Sequence, residues 1–197
     1  MRLAEIQPED EPTILHVGAG IGQEIEAYRQ WNAKIVCVEG DSSNAEVIGE
    51  KYPDVVCLQK IVSDRAGVRP WYSTVPLECS SLHPLDKDIA KKRFRSIRTH
   101  TTIPVAVVAI DMLNLPPIDV MVTDVQGHDY EVLLGALKTL ENCKLVICEA
   151  WLKPLYKGTK LLPEIEKYMN EQGFTLRHFQ PGSTPDFWGD AIFTRRN

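Results

Sequence analysis

No apolar run in this chain reaches the length of a membrane-spanning helix, which excludes a helical membrane protein. The first twelve residues are acidic and polar rather than signal-like, so a cytoplasmic location is expected. Disulfide and zinc-ribbon patterns are missing as well. The five cysteines are odd in number and show no C-x-x-C spacing. Cys37, Cys57 and Cys148 fall in apolar stretches where cysteine acts as a small hydrophobe, so reduced thiols and no metal are expected. Positive charge is in deficit: 22 Lys and Arg against 27 Asp and Glu give a net charge of −5, which argues against general nucleic-acid binding. There is no internal repeat, low-complexity tract or linker, so residues 1–197 are read as one domain with a substantial core.

What the chain does have is a glycine turn between a strand and a helix. Thr13–His16 has strand character and leads into Gly18, Gly20 and Gly22. A helix over Gln23–Gln30 follows, with Ile25, Tyr28 and Trp31 on its apolar side, and then the strand Lys34–Val38 ending in Glu39. Strand, glycine turn, helix, strand and terminal acid make the first half of a nucleotide-type βαβ unit. Glycines let backbone N–H groups approach a ligand, and an acid after the second strand can accept hydrogen bonds from ribose hydroxyls. An adenosine-containing cofactor is implied.

The glycine spacing bears on which one. In the dinucleotide fingerprint G-x-G-x-x-G the third glycine permits close helix packing around a pyrophosphate. Here it comes one residue early, at Gly22, and Gln23 stands in its place. The G-x-G-x-G form resembles motif I of the class I methyltransferases, which bind S-adenosylmethionine. NAD-dependent oxidoreduction is the rival reading, and a non-catalytic binding protein on the same fold is another.

The remaining pattern alternates strands and helices. A helix spans Ser43–Lys51, with Ser43 and Asn44 suiting its start; a strand spans Val55–Val62, a turn Asp64–Gly67 and a short strand Val68–Ser73. Ile103–Ile110, Ile118–Val125 and Lys144–Cys148 read as strands, Tyr130–Leu140 and Pro163–Gln172 as helices. On the first of these helices Val132, Leu133, Ala136, Leu137 and Leu140 are expected to face inward. Phe174–Phe179 and Asp190–Thr194 read as a final hairpin. The fold predicted is α/β, a doubly wound and mainly parallel sheet with an antiparallel C-terminal strand. Ligands bind beyond the carboxyl ends of such strands, where Glu39, Asp124 and Glu149 stand. Carboxylates gathered there suit a sulfonium ligand with an ammonium group better than a dinucleotide. Residues 74–102 lack clear periodicity and are read as an insertion that forms a substrate-binding lid.

The stretch IDVMVTDVQGHDYEVLLGA (118–136) resembles the signature of the FkbM-type methyltransferases, a strand leading into D-V-E-G-x-E-x-x-V-L-x-G-A. Asp124, Val125, Gly127, Glu131, Leu134, Gly135 and Ala136 match in kind and spacing, with one shift around Asp129 and Glu131. The family's L-D-x-L strand end, serine-serine-leucine element and late G-F are similar to Ile110–Leu113, Ser80–Leu82 and Gly173–Phe174. Gln126 departs from the usual Glu, and His128 from a small residue. The resemblance runs from about Thr13 to Phe193. It implies a Rossmann-like domain that O-methylates a hydroxyl on a sugar or other small metabolite.

The resemblance and the local chemistry together assign roles. The turn Gly18, Ala19, Gly20, Ile21, Gly22 and Gln23 would wrap the methionyl part of S-adenosylmethionine. Glu39, with Gly40 and Asp41, would hold the ribose. Ile61, Ser63 and Asp64 would neighbour the adenine, and Asp124 and Gln126 the reactive end. The base that takes the acceptor proton is Asp124 or His128, with His128 favoured near the acceptor and His83 a third candidate. Lys91, Lys92, Arg93, Arg95 and Arg98 with Phe94 form a basic cluster, read as a solvated face or as a contact for an anionic acceptor such as a glycan phosphate or nucleotide-sugar. Trp71, Trp151 and Trp188 serve as packing residues or as stacking platforms for a sugar.

Overall fold

The computed structural model describes residues 11–94 and 97–196. The N-terminal reading (residues 1–10) and Arg95 of the basic cluster lie outside the described residues.

A seven-stranded sheet organises the chain. In chain order its strands are β1 (Thr13–Val17), β2 (Lys34–Glu39), β3 (Val56–Gln59), β7 (Val120–Thr123), β8 (Leu145–Trp151), β9 (Phe174–Pro181) and β10 (Trp188–Arg195). Their spatial order is β3-β2-β1-β7-β8-β10-β9. The first five run parallel, and β10 pairs antiparallel with both β8 and β9. β4 (Ile61–Val62), β5 (Gly67–Val75) and β6 (Arg98–Val108) make a second, three-stranded sheet.

Alternation along the central strands explains why helices cover both faces. Leu15 and Val17 join one apolar cluster and Ile14 the opposite one; Val36 and Val38 likewise alternate with Ile35 and Cys37. The first cluster takes Val132, Leu133, Leu140, Ile165 and Met169 from α4 (Asp129–Leu134), α5 (Leu137–Asn142) and α6 (Leu162–Glu171). The second takes Ile25, Tyr28 and Ile48 from α1 (Ile25–Arg29) and α2 (Ser42–Lys51). The sheet is therefore doubly wound and mainly parallel with antiparallel strands at its C-terminal edge, as the sequence predicts. Each fully buried leucine or isoleucine here contributes about 1.5–3 kcal/mol. α3 (Lys87–Arg93) lies elsewhere, with Leu85 and Ala90 packed on Trp151, Tyr156 and Phe187.

Several boundaries differ from expectation. The helix after the glycine turn is only five residues, because Gly20–Glu24 stays in turns. The strand expected over Val55–Val62 breaks at Lys60, and its second half leaves the main sheet to pair with β6. Asp41, not Ser43 or Asn44, caps α2, accepting hydrogen bonds from both of their backbone N–H groups. The helix expected over Tyr130–Leu140 is two helices, and the break leaves Leu137 exposed. Gly135 sits at that break because a Cβ there would lie 2.2 Å from the Ser63 carbonyl oxygen.

Candidate functional site

Strand register builds the site. Val17 pairs with Val38 on one side and Thr123 on the other, so Gly18 emerges between Glu39 and Asp124. The chain leaves β1 toward β2 and returns on the far side as β7, which makes this gap the switch point of the sheet. A cavity of about 260 Å³ opens there. Gly18 has φ +78°, and a Cβ on it would stand 1.9 Å from the Asp124 carbonyl oxygen. Only glycine fits between the two strand ends.

Glu39 fastens the glycine turn to β2. It is 8% exposed. Its Oε2 accepts from the Gly20 N–H at 2.7 Å and its Oε1 from the Asp41 N–H at 2.8 Å. Burial raises its carboxyl above the ordinary range, and these backbone donors oppose the rise. His16 lies beneath the turn, buried, with Nδ1 3.1 Å from the Tyr28 hydroxyl; burial pushes it down to about 4.

On the other wall, acids gather at the ends of β7, β8 and β10. Asp124 faces the cleft and is exposed to it, but protein surrounds its remaining sides. That enclosure, with Asp190 and Glu24 nearby, pushes its carboxyl up to about 6, against the Gln126 hydrogen bond. Gln126 Nε2 donates to Asp124 Oδ1 at 2.9 Å and reaches Glu149 Oε1 at 3.4 Å. The Tyr156 hydroxyl lies 2.9 Å from Gln126 Oε1 and 3.0 Å from the Cys79 carbonyl oxygen, two acceptors for its one proton, and the Asp124 carboxylate beside Nε2 sets the orientation of that amide. Glu149 is buried, accepts from Trp151 Nε1 at 3.0 Å, and stands opposite Asp190 across β8 and β10. Burial and the neighbouring Asp124 and Asp129 raise its carboxyl well above the usual range. Asp129, also buried, is raised to about 8 by burial and Asp124.

His128 opens α4 and borders the same cleft, but it is 4% exposed. Its Nε2 lies 2.9 Å from Ser63 Oγ, and Ser63 Oγ donates to Asp64 Oδ1 at 3.0 Å. Arg69 pairs with the same Asp64 oxygen. Against the cost of burial, Ser63 and the two arginines Arg69 and Arg65 hold that carboxyl below its ordinary value. Burial pushes the His128 imidazole down to about 4, Glu131 opposing. It is neutral at pH 7.

The structure thus brings together Gly18, Ala19, Gly20, Gln23, Glu39, Gly40, Asp41, Ile61, Asp124, Gln126 and His128 around one cleft. Ile21, Gly22, Ser63 and Asp64 are not in its lining: Ile21 points out at 46% exposure, and Ser63 and Asp64 are engaged by His128 and Arg69. The sequence reading missed His16, Lys60 and Glu78 in the lining. A histidine inside an otherwise apolar strand was the one visible signal among these. Trp151 is buried, with Tyr156 and Phe187 edge-on and Trp188 tilted against it, so packing accounts for the pair, whereas Trp71 borders the cleft. Of the basic cluster, Arg93 pairs with Asp186 and Phe94 packs on Phe187 at 5.2 Å. Lys91, Lys92 and Arg93 are exposed at the end of α3, outside the cleft lining. Among the described residues no helix is long and apolar enough to cross a membrane.

Residues 16–176 match the family model of the methyltransferase FkbM domain. No curated protein matches the sequence significantly. Among solved structures, a methyltransferase FkbM from Methylobacillus flagellatus KT superposes with a TM-score of 0.63 at 14% identity. The alignment covers 98% of this chain and 46% of that one, so this chain spans less than half of that protein's length. Magnesium protoporphyrin IX methyltransferase from Synechocystis PCC 6803 with bound SAH gives 0.57 at 10% identity, covering 94% of this chain and 74% of that one. An RNA methyltransferase described as putative, from Pyrococcus horikoshii, gives 0.52 at 15%, covering 95% and 75%. At these identities the likeness is one of fold.

Proposed function

Because the chain belongs to the FkbM methyltransferase domain family, we propose that it moves a methyl group from S-adenosylmethionine to a hydroxyl oxygen of a sugar or related small metabolite. The observation that carries the cofactor reading is Glu39. It is a buried acid beside the cleft, with one backbone N–H on each oxygen. Each carboxylate oxygen has a second lone pair, and a ribose diol supplies two donors. The opposite wall favours a cation: Asp124, with Glu24 and Asp190 in its field, suits a sulfonium and an ammonium and repels a pyrophosphate.

When bound, S-adenosylmethionine supplies an electrophilic methyl carbon on sulfur. The residues of the chain then have three tasks. Glu39 and the glycine turn hold the nucleoside. The cleft walls, Trp71 and Leu82 among them, exclude water and keep the acceptor in line. Asp124 takes the hydroxyl proton, as the one carboxylate that is open to the cleft and has its pKa brought near neutrality. His128 is the weaker candidate because its Nε2 is engaged by Ser63 and burial depresses its basicity.

Thermal melts and calorimetry with S-adenosylhomocysteine, NAD and a short RNA test this reading. Ligand at about one hundred times its dissociation constant adds roughly 2.7 kcal/mol, several degrees in Tm. S-adenosylhomocysteine is expected to give that shift and NAD none. A shift from NAD alone would make the protein an oxidoreductase, and binding of RNA alone would make it a non-catalytic relative.

A further inference from the structure

Three polar atoms from two distant parts of the chain converge beside the cleft without hydrogen-bond partners. They are His83 Nε2, His128 Nδ1 and Glu131 Oε2, all buried. The carboxylate oxygen lies 3.5 Å from each of the two nitrogens, and the three atoms all lie within 4.8 Å of one another. We propose that His83, His128 and Glu131 form a binding site for a divalent first-row cation of borderline softness, with Zn²⁺ as its type.

The proton inventory favours a cation there. Ser63 has one hydroxyl proton and gives it to Asp64, which Arg69 keeps ionised. Ser63 Oγ is then an acceptor, so the proton of His128 sits on Nε2. That leaves the Nδ1 lone pair aimed at a carboxylate oxygen. Two lone pairs facing each other at this distance repel unless positive charge stands between them. The same chain of bonds is the outer support that metal-bound histidines commonly have: the free ring N–H donates to an oxygen that is itself anchored.

Local structure holds the ligands in place. His128 and Glu131 sit at i and i+3 across the first turn of α4, which puts them on one side of the helix. The His83 loop is pinned separately: Ser81 Oγ accepts from the His83 N–H at 3.0 Å and donates to the Gln126 carbonyl at 2.8 Å. Metal–ligand bonds near 2.0–2.2 Å in a tetrahedron place neighbouring ligand atoms about 3.4 Å apart. Both contacts of Glu131 already have that separation, and the two imidazole nitrogens, up to 4.8 Å apart, would have to close by about 1.4 Å on an ion. Two imidazoles and one carboxylate suit Zn²⁺ or Co²⁺, whereas Mg²⁺ and Ca²⁺ prefer all-oxygen shells. With three protein ligands, a fourth position remains for water or another ligand. An ion here would clamp the His83 loop to α4 and fix one wall of the cleft. It would also tie up His128 Nδ1, leaving proton transfer to Asp124.

Chelator-treated protein, free of nucleoside and acceptor, is to be titrated with Zn²⁺ by calorimetry and with Co²⁺ by visible absorption. One equivalent is expected to bind, with a Co²⁺ spectrum of nitrogen and oxygen ligation and no thiolate charge-transfer band. His83→Ala and the near-isosteric Glu131→Gln should each weaken binding by about a hundredfold or more, and Ser63→Ala by about 10–100-fold. Melting curves of each variant confirm folding. Absence of binding, a thiolate band from the free cysteines, or unchanged affinity in folded Glu131→Gln overturns the site. Because no nucleoside is present, either result leaves the S-adenosylhomocysteine experiment independent.

Discussion

Gly20 donates its backbone N–H to Oε2 of Glu39 at 2.7 Å, so the glycine turn is fastened to the end of the next strand by an acid. The bond gives Glu39 a structural duty beside its proposed one. Glu39→Ala would remove the acceptor of the half-buried Gly20 and Asp41 N–H groups beside the cleft, at about 0.5–1.5 kcal/mol each. Denaturant midpoints should fall accordingly, and S-adenosylhomocysteine affinity should drop by roughly tenfold to a thousandfold. Glu39→Gln keeps one acceptor oxygen and should lie between. Wild-type stability in Glu39→Ala would mean that the turn holds itself without the acid.

The free protein's Asp124 carboxyl, pushed up to about 6, sets the pH dependence expected of kcat/KM. The value should rise with pH through about 6 and then level off, as the carboxylate that accepts the proton forms. Asp124→Asn should abolish that limb and cost about 10²–10⁴ in kcat. The sequence pattern put the limb on His128, but burial has moved that imidazole to about 4. A limb that persists unchanged in Asp124→Asn would return the role to another group.

Glu149 couples stability to pH in the sense opposite to a salt-bridged acid. Its folded pKa is raised by burial and by Asp124 and Asp129. The folded state therefore binds more protons than the unfolded chain once pH exceeds the ordinary glutamate value of about 4.3. Its contribution is greatest below that value and is lost as pH rises toward the folded pKa. Glu149→Gln keeps the acceptor for Trp151 Nε1 and carries no charge to desolvate. At pH 8 it should be more stable than wild type by about 0.5–2 kcal/mol, with the gain shrinking on acidification. Equal denaturant midpoints for the two proteins at pH 8 would show that Glu149 loses nothing by burial.

The parallel sheet was legible because buried strands read as short apolar runs between turn residues, and because Gly18 and Glu39 mark where two of them end. The break at Lys60 was not, since β-branched residues stand on both sides of it (Val55 and Val56, Ile61 and Val62) with no glycine or proline between, and the partner strand changes there. Nor was the break at Gly135, which follows from a backbone contact with Ser63 across the fold. The same contact region explains Ser63 and Asp64. Their place after the third strand suggested a ligand contact, whereas in three dimensions His128 and Arg69 claim them. His128 and Glu131 were visible as i and i+3 neighbours, but nothing local in sequence points from them to His83.

Gln126 offers the sharpest test of the acidic wall. Its amide donates to Asp124 at 2.9 Å and reaches Glu149 at 3.4 Å, and its oxygen lies 2.9 Å from the Tyr156 hydroxyl. Gln126→Glu, the usual residue in the FkbM signature, would keep the Tyr156 contact and turn the other end into a third acceptor. Like charges this close cannot all ionise, so at least one proton must be retained at pH 7. Two effects should follow together. The kcat/KM limb should move upward by about one pH unit or more, because Asp124 loses a donor and gains a repelling neighbour. Stability at pH 8 should fall and recover on acidification, since the extra carboxylate is easiest to bury when protonated. Double substitution with Glu149→Gln should return both properties toward wild type, as it restores an amide donor to the network. An unmoved limb together with unchanged pH 8 stability in Gln126→Glu would show that Asp124 is governed by solvent in the cleft rather than by this amide.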